Sequence, residues 1–411
     1  METKPSIVDK WKLFSLGTIF GFLVFVLYHE KAHQNISFFV ELAPFHSINK
    51  PSNFILNDLN ISRNKTTKKC NMYDGRWVYK PDEARPSYDS IRCPFVEEKM
   101  SCQDNGRPEN EYEKWQWEVR DCDIPMFNGT YMLEKLRNKR MILVGDSLNR
   151  NMWESLACLL FTSIPSSTTK AEEYKGYQKF WKAKEYNFTL EFYWSPFLIE
   201  INSRHESGKK VLVLDKLSAD SNKWRGADIM VFNSGHWWDL PKRLRAWELF
   251  EFEGQLTKDM PVEVAYERGL KTWAKWIKSN VDPNKTKVIF RSNSPWHQHE
   301  QWCYNKTQPF MDDSYIPVFP KSMVDVVETI IKGMTESQVN YLNITKLSQY
   351  RIDAHPSMYR FKDWNMLTKK YANNLNNYAD CSHWCLPGVP DTWNRLLYTS
   401  LFFDIFADTY T

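Results

Sequence analysis

Short apolar runs alternate with longer amphipathic segments along most of the chain after residue 130. Apolar runs of strand length lie at 141–145, 192–201, 210–215, 228–235 and 287–292. Segments in which apolar residues recur at helical spacing lie at 148–161, 264–281 and 322–334. Because alternating strands and helices require crossover connections, the pattern predicts an α/β fold with a mostly parallel sheet and helices on both faces.

Polar residues follow several of the predicted strands. Ser147, Asn233 and Ser292 each lie at or near the carboxyl end of one of these runs. In open α/β sheets, ligands bind beyond the carboxyl ends of the strands. The triplet Gly145-Asp146-Ser147 joins an all-apolar strand to a helix, so Ser147 is predicted at the tip of a strand-to-helix turn.

The N-terminus has the pattern of a membrane anchor followed by a stem. An uncharged apolar run at 13–28 follows Lys10 and Lys12. The run is short for a membrane span, but Trp11 and Tyr28 can anchor its ends at the membrane interfaces. No small-x-small cleavage pattern follows it, which favours a retained signal-anchor over a cleaved signal peptide, with the lysines on the cytosolic side. Residues 1–12 are then a cytosolic tail, and the polar segment 29–68 is a lumenal stem.

The eight cysteines indicate an oxidising compartment. Their number is even and they lack the paired spacing of a zinc site, so four disulfides are predicted. Four of them lie within 69–130, a segment rich in Pro, Trp and Tyr with little helical pattern. This segment is predicted to be a disulfide-stapled, loop-rich lobe that precedes a catalytic domain over 131–411.

Charge argues against a nucleic-acid partner. The 54 basic and 50 acidic residues nearly balance, and the net charge is +4. Binding to phosphates favours a concentrated basic face, and the sequence shows no RNP, zinc-finger or Walker pattern.

The candidate chemistry combines Ser147 with residues near the C-terminus. A serine becomes a nucleophile when a base removes its proton, and a helix N-terminus supplies donors for the oxyanion that forms. Asp380 and His383 are three residues apart, so on a tight turn the carboxylate can orient the imidazole that takes the Ser147 proton. The alternatives are an N-cap role for Asp146-Ser147 and a solvent-facing Asp380/His383 pair.

A second acid–histidine pair competes for the role of base. Asp353 and His355 are two residues apart in a segment that Pro356 biases toward an extended backbone, which does not bring the carboxylate onto the ring. This pair is therefore predicted to be a cleft or structural element.

Two histidine pairs have the spacing of metal ligands. They are His29 with His33, and His297 with His299. A third ligand is not evident for either pair, so no metal site is predicted.

Several residues are candidates for oxyanion stabilisation or substrate contact. The segment 232–239 follows a predicted strand and offers amide and backbone donors, although a plain strand-exit turn is the alternative. The full set of candidates is Gly145, Asp146, Asn149, Asn233, Gly235 and His236.

The Gly145-Asp146-Ser147 triplet with Asp380-x-x-His383 is similar to the SGNH/GDSL esterase superfamily. Wider stretches resemble the plant trichome birefringence-like proteins, the polysaccharide O-acetyltransferases of the Golgi. The resemblance covers nearly all of residues 70–400 and is closest to the members that acetylate xylan. It rests on CNMYDGRWVY (70–79), CPFVEEKMSCQDNGRP (93–108), YEKWQWEVRDCDIPMF (112–127), LRNKRMILVGDSLNRNMWESLACLL (136–160) and YADCSHWCLPGVPDTWNRLLY (378–398).

The resemblance implies an SGNH-like fold and acetyl transfer to a sugar hydroxyl through an acetyl-serine at Ser147. His383 would be the base and Asp380 its orienting acid. The sequence has no nucleotide-binding loop, so no bound cofactor is predicted, and acetyl-CoA and a membrane-relayed carrier both stay open as the acetyl donor. The family's basic residues are replaced by Gln116 and Met126, which bears on the acceptor. The implied disulfides are Cys70–Cys122, Cys93–Cys158, Cys102–Cys385 and Cys303–Cys381.

Three other functions stay open at this stage. The acceptor could be xyloglucan, mannan or pectin instead of xylan. Water could replace the sugar hydroxyl, which would make the protein an acetylesterase. The third alternative is an inactive glycan-binding protein.

Overall fold

The structure, a computed structural model, describes residues 70–82, 88–164, 178–240, 245–297, 302–311, 319–370, 375 and 378–403. The predicted cytosolic tail, signal-anchor and stem lie outside these residues. Among the residues described, no helix has both the length and the apolar character needed to cross a membrane.

Twelve strands and eight helices alternate within the described residues. The strands are β1 (Gly75–Tyr79), β2 (Trp115–Val119), β3 (Arg140–Gly145), β4 (Lys179–Ala183), β5 (Phe188–Trp194), β6 (Ile199–Asn202), β7 (Val211–Leu217), β8 (Ile229–Phe232), β9 (Leu249–Phe252), β10 (Gln255–Thr257), β11 (Lys287–Arg291) and β12 (Asn340–Leu342). The helices are α1 (Gly129–Lys135), α2 (Ser147–Phe161), α3 (Ser221–Trp224), α4 (Val262–Asn280), α5 (Lys321–Lys332), α6 (Thr345–Gln349), α7 (Trp364–Lys370) and α8 (Val389–Phe402).

The main sheet has six strands in the order β12-β11-β8-β3-β5-β4. All neighbours pair in parallel except β4, which runs antiparallel to β5 at the edge. The carboxyl ends of β3, β8 and β11 therefore lie side by side. The predicted mostly parallel α/β sheet is confirmed.

Alternate side chains of β3 are buried on opposite faces of the main sheet. Met141 and Leu143 join a core cluster that includes side chains of α2 and α8. Ile142 and Val144 join a second cluster that includes side chains of α4 and α5. All four side chains are inaccessible to solvent. This burial on both faces explains why the strand is apolar without alternation.

The predicted strand 192–201 divides between two sheets. β5 ends at Trp194 in the main sheet, and β6 starts at Ile199 in a four-stranded sheet of order β10-β9-β7-β6. Pro196 lies between them, and the Leu198 N–H donates to the Ser195 carbonyl to close a turn. Because proline cannot donate to a ladder, the chain changes sheets there. The predicted strand 210–215 also belongs to this second sheet, as β7.

The segment before β3 contains a two-stranded antiparallel ribbon, β1 with β2, and is cross-linked to the rest of the chain. Cys70–Cys122 closes a loop within this segment, Cys93–Cys158 joins it to α2, and Cys102–Cys385 joins it to the C-terminal region. The fourth disulfide is Cys303–Cys381. The cysteines thus pair as the resemblance implies.

Candidate active site

The turn from β3 to α2 places Ser147 at the first position of a buried helix. Asp146 is the N-cap, and its Oδ1 accepts from the Leu148 N–H at 2.9 Å. Asn233, at the end of β8, donates to the same oxygen at 2.9 Å and accepts from the Asp146 N–H at 3.2 Å. Asp146 and Asn233 therefore fix the turn that carries the serine.

Gly145 is required by the close approach of β3 to β8. A Cβ at this position would lie 1.9 Å from the Asn233 Oδ1 and 2.7 Å from the Asn233 carbonyl oxygen. Any larger residue would displace the Asn233 amide that anchors Asp146. The glycine thus serves the geometry of the turn.

Ser147, His383 and Asp380 form a continuous hydrogen-bonded series. The Ser147 Oγ lies 2.7 Å from the His383 Nε2, although 236 positions separate the two residues. The His383 Nδ1 lies 2.8 Å from the Asp380 Oδ2. In this arrangement the carboxylate fixes the tautomer that leaves Nε2 free to accept the serine proton.

Asp380 is buried and stays ionised. Burial raises the pKa of this carboxyl group, but the attraction of His383 and its hydrogen bonds outweigh burial, so the pKa lies well below its usual value. The backbone N–H of His383 donates to Asp380 Oδ1 at 3.1 Å, and so does the N–H of Ser382. Arg360 adds a cation 3.7 Å from Oδ2. A fixed negative charge here stabilises an imidazolium at His383.

Cross-links and an adjacent segment hold the Asp380-to-His383 turn. One disulfide starts within the turn, at Cys381, and another starts two residues after it, at Cys385. Ser357 and Asp380 exchange backbone hydrogen bonds of 2.9 and 3.0 Å. The turn is therefore rigid without belonging to a helix or a sheet, as a preorganised site requires.

The structure separates the competing pair, Asp353 and His355. Both Asp353 carboxylate oxygens bind Arg351, at 3.0 and 2.9 Å, in a buried ion pair. The His355 Nδ1 instead contacts the backbone carbonyl of His383 at 2.6 Å. Neither residue forms an acid–base pair with the other, so the prediction of a structural or cleft element agrees with their placement.

Gly235 and His236 lie beside the site, as does Asn293. A Cβ on Gly235 would lie 2.3 Å from the amide nitrogen of the Asn293 side chain. Because glycine has no side chain, the segment after β8 can pack closely against the segment after β11. Burial lowers the pKa of His236, and His383 lowers it further, while the Asp146 and Asp380 charges oppose this. His236 is therefore neutral at pH 7 and can donate one ring hydrogen.

Asn149 does not reach the site, contrary to its selection as a candidate. Its amide donates to the carbonyls of Val144 and Val231 at 2.9 and 3.1 Å, and its Oδ1 accepts from Arg291 at 2.9 Å. Both amide hydrogens are thus used beneath the sheet edge. This polar residue in the first turn of a buried helix binds neighbouring strand ends, because their carbonyls need donors.

Sequence reasoning missed three polar residues at the site, namely Arg360, Ser382 and Asn293. The Oγ of Ser382 donates to Asp380 at 3.0 Å, and the position next to His383 was a usable signal. Asn293 follows Ser292 after a predicted strand, which was the same signal that selected Asn233. Arg360 ends a short 3-10 helix, Met358–Arg360, far along the chain, and no local pattern points to it.

Two cavities are lined by residues that contact the site or its neighbouring elements. A cavity of about 440 Å³ is lined by Trp194 and Trp237 among others, and Trp194 pairs with Gly145 across β5 and β3. A second cavity of about 470 Å³ is lined by Arg360 and Glu97, and Glu97 binds Arg150 one turn after Ser147. The linings include Trp194, which pairs with Gly145, and Arg360, which contacts Asp380, but they do not include Ser147, Asp380 or His383.

Within the residues that the structure describes, no three His, Cys, Asp or Glu side chains converge as metal ligands do. His297 contacts His355 ring to ring at 2.6 Å. His299, His29 and His33 lie outside the described residues.

Comparison with known proteins identifies the family. The model of the GDSL/SGNH-like acyl-esterase family found in Pmr5 and Cas1p matches residues 124–400, and the PMR5 N-terminal domain model matches residues 68–123. Protein trichome birefringence-like 3 of Arabidopsis thaliana is 40% identical over 376 residues, or 88% of this chain and 86% of that protein. Probable xylan O-acetyltransferase 10 of Oryza sativa subsp. japonica is 41% identical over 348 residues, or 81% and 78%.

These matches cover most of the chain and confirm both the family and the SGNH-like fold that the motifs indicated. The chain therefore belongs to the GDSL/SGNH-like acyl-esterase family found in Pmr5 and Cas1p, together with the trichome birefringence-like proteins of plants.

Proposed function

We propose that the protein is an O-acetyltransferase that moves an acetyl group onto xylosyl hydroxyls of xylan through an acetyl-Ser147 intermediate. One observation carries this proposal. At the carboxyl edge of the sheet, the Ser147 Oγ lies 2.7 Å from the His383 Nε2, and the His383 Nδ1 lies 2.8 Å from the Asp380 carboxylate. This is the geometry by which a serine becomes an acyl acceptor.

In the first half-reaction Ser147 takes the acetyl group from the donor. The His383 Nε2 accepts the Oγ proton while Oγ bonds to the acetyl carbon, and the carbonyl π electrons move onto oxygen. Collapse of this tetrahedral intermediate expels the donor group, which leaves with the proton from His383. In the second half-reaction a sugar hydroxyl gives its proton to His383 while its oxygen bonds to the acetyl carbon. Collapse of this second tetrahedral intermediate breaks the bond from the acetyl carbon to Oγ, and Ser147 takes the proton back from His383.

The oxyanion needs donors at the N-terminus of α2. We assign this role to the backbone N–H of Ser147, with the N–H of Gly235 and the neutral ring of His236 beside it. A helix N-terminus presents N–H groups and a positive dipole end, and both favour negative charge on the acetyl oxygen.

Xylan is the proposed acceptor. The relatives from rice that share 40 to 41% identity with this chain are named probable xylan O-acetyltransferases. The 440 Å³ cavity beside the catalytic strand presents partly exposed indole rings at Trp194 and Trp237, and such rings stack on sugar rings. The donor is acetyl-CoA or a membrane-relayed acetyl carrier.

The proposed location is the Golgi lumen, in a single-pass membrane protein with the N-terminus in the cytosol. Four disulfides support an oxidising compartment, because the cytosol keeps thiols reduced. The apolar run at 13–28 after two lysines supports the anchor.

Hydrolysis is a second candidate reaction, since the matched family is described as acyl-esterases. Both reactions pass through acyl-serine and differ in whether water or a sugar hydroxyl attacks it. The full-length protein should be incubated with acetyl-CoA or an activated acetyl ester and with xylo-oligosaccharides, and then examined by mass spectrometry. Acetyl on the Ser147 peptide together with acetylated oligosaccharide supports transfer, and acetate without acetylated sugar supports hydrolysis.

The matched control is Ser147→Ala, in which no peptide should carry acetyl and no sugar should be modified. Acetylated sugar from this variant would contradict the proposed mechanism. Omitting the oligosaccharide should leave acetyl on the Ser147 peptide of the wild type. Loss of that acetyl with time then measures attack by water.

A further inference from the structure

Two histidines that take no part in the proposed chemistry are buried directly behind the catalytic turn. His297 and His355 are 0% and 1% exposed. The His355 ring stacks on the indole of Trp384, the residue after the catalytic histidine, with ring centres 4.1 Å apart. Buried imidazoles in contact with each other need an explanation, because each ring brings polar nitrogens into the interior.

The segment 354–357, which carries His355, lies alongside the catalytic turn and forms hydrogen bonds with it at three points. Ala354 accepts from the Cys385 N–H at 3.0 Å, and Ser357 exchanges backbone hydrogen bonds with Asp380. Between these points the His355 Nδ1 contacts the carbonyl oxygen of His383 at 2.6 Å. Of the three contacts, only the one to His383 uses a side chain.

His297 continues the contact away from the site. Its Nδ1 lies 2.6 Å from the His355 Nε2, and its Nε2 lies 2.9 Å from the carbonyl oxygen of Gln349 at the end of α6. The two rings thus connect a helix end to the backbone of His383. A connection of this kind resists displacement of the catalytic backbone away from α2.

We propose that His355, supported by His297, is a positioning residue that fixes the carbonyl of His383 and thereby the distance from its imidazole to Ser147. The inference rests on the proposed roles of Ser147 and His383. Proton transfer depends steeply on the separation of donor and acceptor, and a misplacement of about 1 Å can cost about 100-fold in rate. The backbone of the base therefore needs a support of its own.

The contacts also specify where the ring hydrogens lie. A carbonyl oxygen only accepts, so Nδ1 of His355 and Nε2 of His297 carry hydrogens. The ring-to-ring contact needs a third hydrogen, and two neutral rings carry only two, so the pair makes all three bonds when it shares one extra proton.

Burial lowers the pKa of both rings and opposes that extra proton. The nearby carboxylates of Asp353, which is paired with Arg351, and Asp380 favour it, while His383 opposes it at His355. The hydrogen on Nδ1 of His355 does not depend on this balance, because the neutral ring can also carry it.

Two substitutions at one position test the proposal. In His355→Asn the amide nitrogen stands near the former Nδ1 and can still donate to the His383 carbonyl. In His355→Gln the amide stands near the former Nε2 and cannot. Both variants lose the stack on Trp384, so a role of His355 in stacking alone predicts equal activity.

We expect His355→Gln to lose about 10- to 100-fold in kcat with little change in the KM for acceptor, and His355→Asn to remain within about 5-fold of wild type. Acetyl transfer measured with equal amounts of folded protein gives this comparison. Equal kcat values for the two variants, whether lowered or unchanged, would overturn the proposal.

A second measurement does not depend on the proposed activity. In full-length protein labelled with ¹⁵N-histidine, NMR should show a protonated Nδ1 on His355, and the His383 ring signals should shift in His355→Gln but not in His355→Asn. An unprotonated Nδ1 on His355 would contradict the inference even if the enzyme is active. Wild-type protein that never acetylates Ser147 contradicts the proposed function, while the ring signals still decide the placement of His383.

Discussion

The two halves of the candidate site are built in different ways. Ser147 stands on regular structure, at the junction of a central strand and a helix, and its turn is fixed by Asp146 and Asn233. His383 stands on an irregular turn between two cysteines, where disulfides, Asp380 and His355 fix the backbone. The nucleophile thus inherits its position from the sheet, whereas the base depends on contacts from distant segments.

Different changes are therefore expected to displace the serine and the histidine. Changes in packing between β3 and β8 should move the serine, and loss of cross-links should move the histidine. Because the two side chains meet at 2.7 Å, either displacement abolishes the hydrogen bond between them. Variants on the two sides therefore test the contrast, and the expected effects decrease from the reacting groups to a buried carboxyl group away from them.

The largest effect is expected from the reacting groups. Ser147→Ala and Asp380→Asn should each lower acetyl transfer by about 10⁴-fold, since members of such a triad act as a unit. Ser147→Ala should leave the thermal unfolding temperature nearly unchanged. Transfer assays and calorimetry measure both quantities.

Ser163→Ala is the matched control for the serine. Its hydroxyl donates to the Leu159 carbonyl at the far end of the same helix, at 2.8 Å. Full activity in this control and residual activity above about 1% in Ser147→Ala would contradict the role of Ser147.

Removal of the disulfide beside the base should have the next largest effect. Replacing both Cys102 and Cys385 by Ala opens a link between positions 283 residues apart and should cost about 2 to 5 kcal/mol of unfolding free energy. Activity should fall as well, because this link holds the end of the catalytic turn. Denaturant unfolding and transfer assays give the two numbers.

The disulfide Cys70–Cys122 provides the comparison. It closes a loop within the N-terminal segment, with a separation of 52 residues. Its removal should lower stability while kcat of the folded protein stays close to wild type. If loss of either disulfide lowers kcat equally, the inference that the position of the catalytic base depends on the nearby Cys102–Cys385 cross-link is wrong.

On the serine side, Gly145→Ala should destabilise the protein by about 3 kcal/mol or more, because the new Cβ would lie 1.9 Å from the buried Asn233 Oδ1. Displacement of Asn233 should also release Asp146 and lower activity. Gly333→Ala is the control, since a Cβ there approaches nothing closer than 3.4 Å and the backbone is already α-helical. A Gly145→Ala variant as stable as this control would contradict the argument from close approach.

The smallest effect concerns pH and a second buried carboxyl group in the C-terminal region. Burial raises the pKa of Asp391 to about 6 from 3.8, although hydrogen bonds from Ser155, Tyr88 and Gly388 oppose the rise. Folding therefore favours the protonated form, and this contribution is complete below pH 3.8 and disappears as pH rises through about 6. The change amounts to at most ~3 kcal/mol.

Asp391→Asn should reduce this loss of stability between pH 4 and 6, as measured by denaturant unfolding at several pH values. Asp380 supplies the opposite case, because its lowered pKa gives a contribution that is complete above pH 3.8 and is lost progressively as the pH falls below 3.8 toward the folded-state pKa. An unchanged pH dependence in Asp391→Asn would show that other groups carry the effect.

The sequence predicted regular elements better than irregular ones. The strand at 141–145 and the helix after it were predicted within one residue, because a strand buried on both faces and an amphipathic helix have distinct patterns. The run 192–201 was read as one strand because apolar residues continue through Pro196. The division between two sheets depends on which neighbours are available for pairing, and local patterns do not contain that information.

The same limit applies to the site. Asp380 and His383 are close in sequence, so their mutual contact could be inferred from spacing. Asn149 and Asn293 show the opposite case. Asn149 is polar and close to Ser147 in sequence, yet it binds strand carbonyls. Asn293 lies beside the site but was not predicted from the sequence. Whether a buried amide faces a ligand or a backbone carbonyl depends on the partners that folding brings to it.

By itself the sequence determined the alternation of strands and helices, the turn at Gly145-Asp146-Ser147, and the family. These features arise from local periodicity and from motifs read within a few residues. Only the tertiary structure brought His383 to Ser147 across 236 positions and set His355 behind it. The physical reason is that hydrogen bonds form between atoms about 3 Å apart, and separations of that size between distant segments are fixed by packing and cross-links rather than by local pattern.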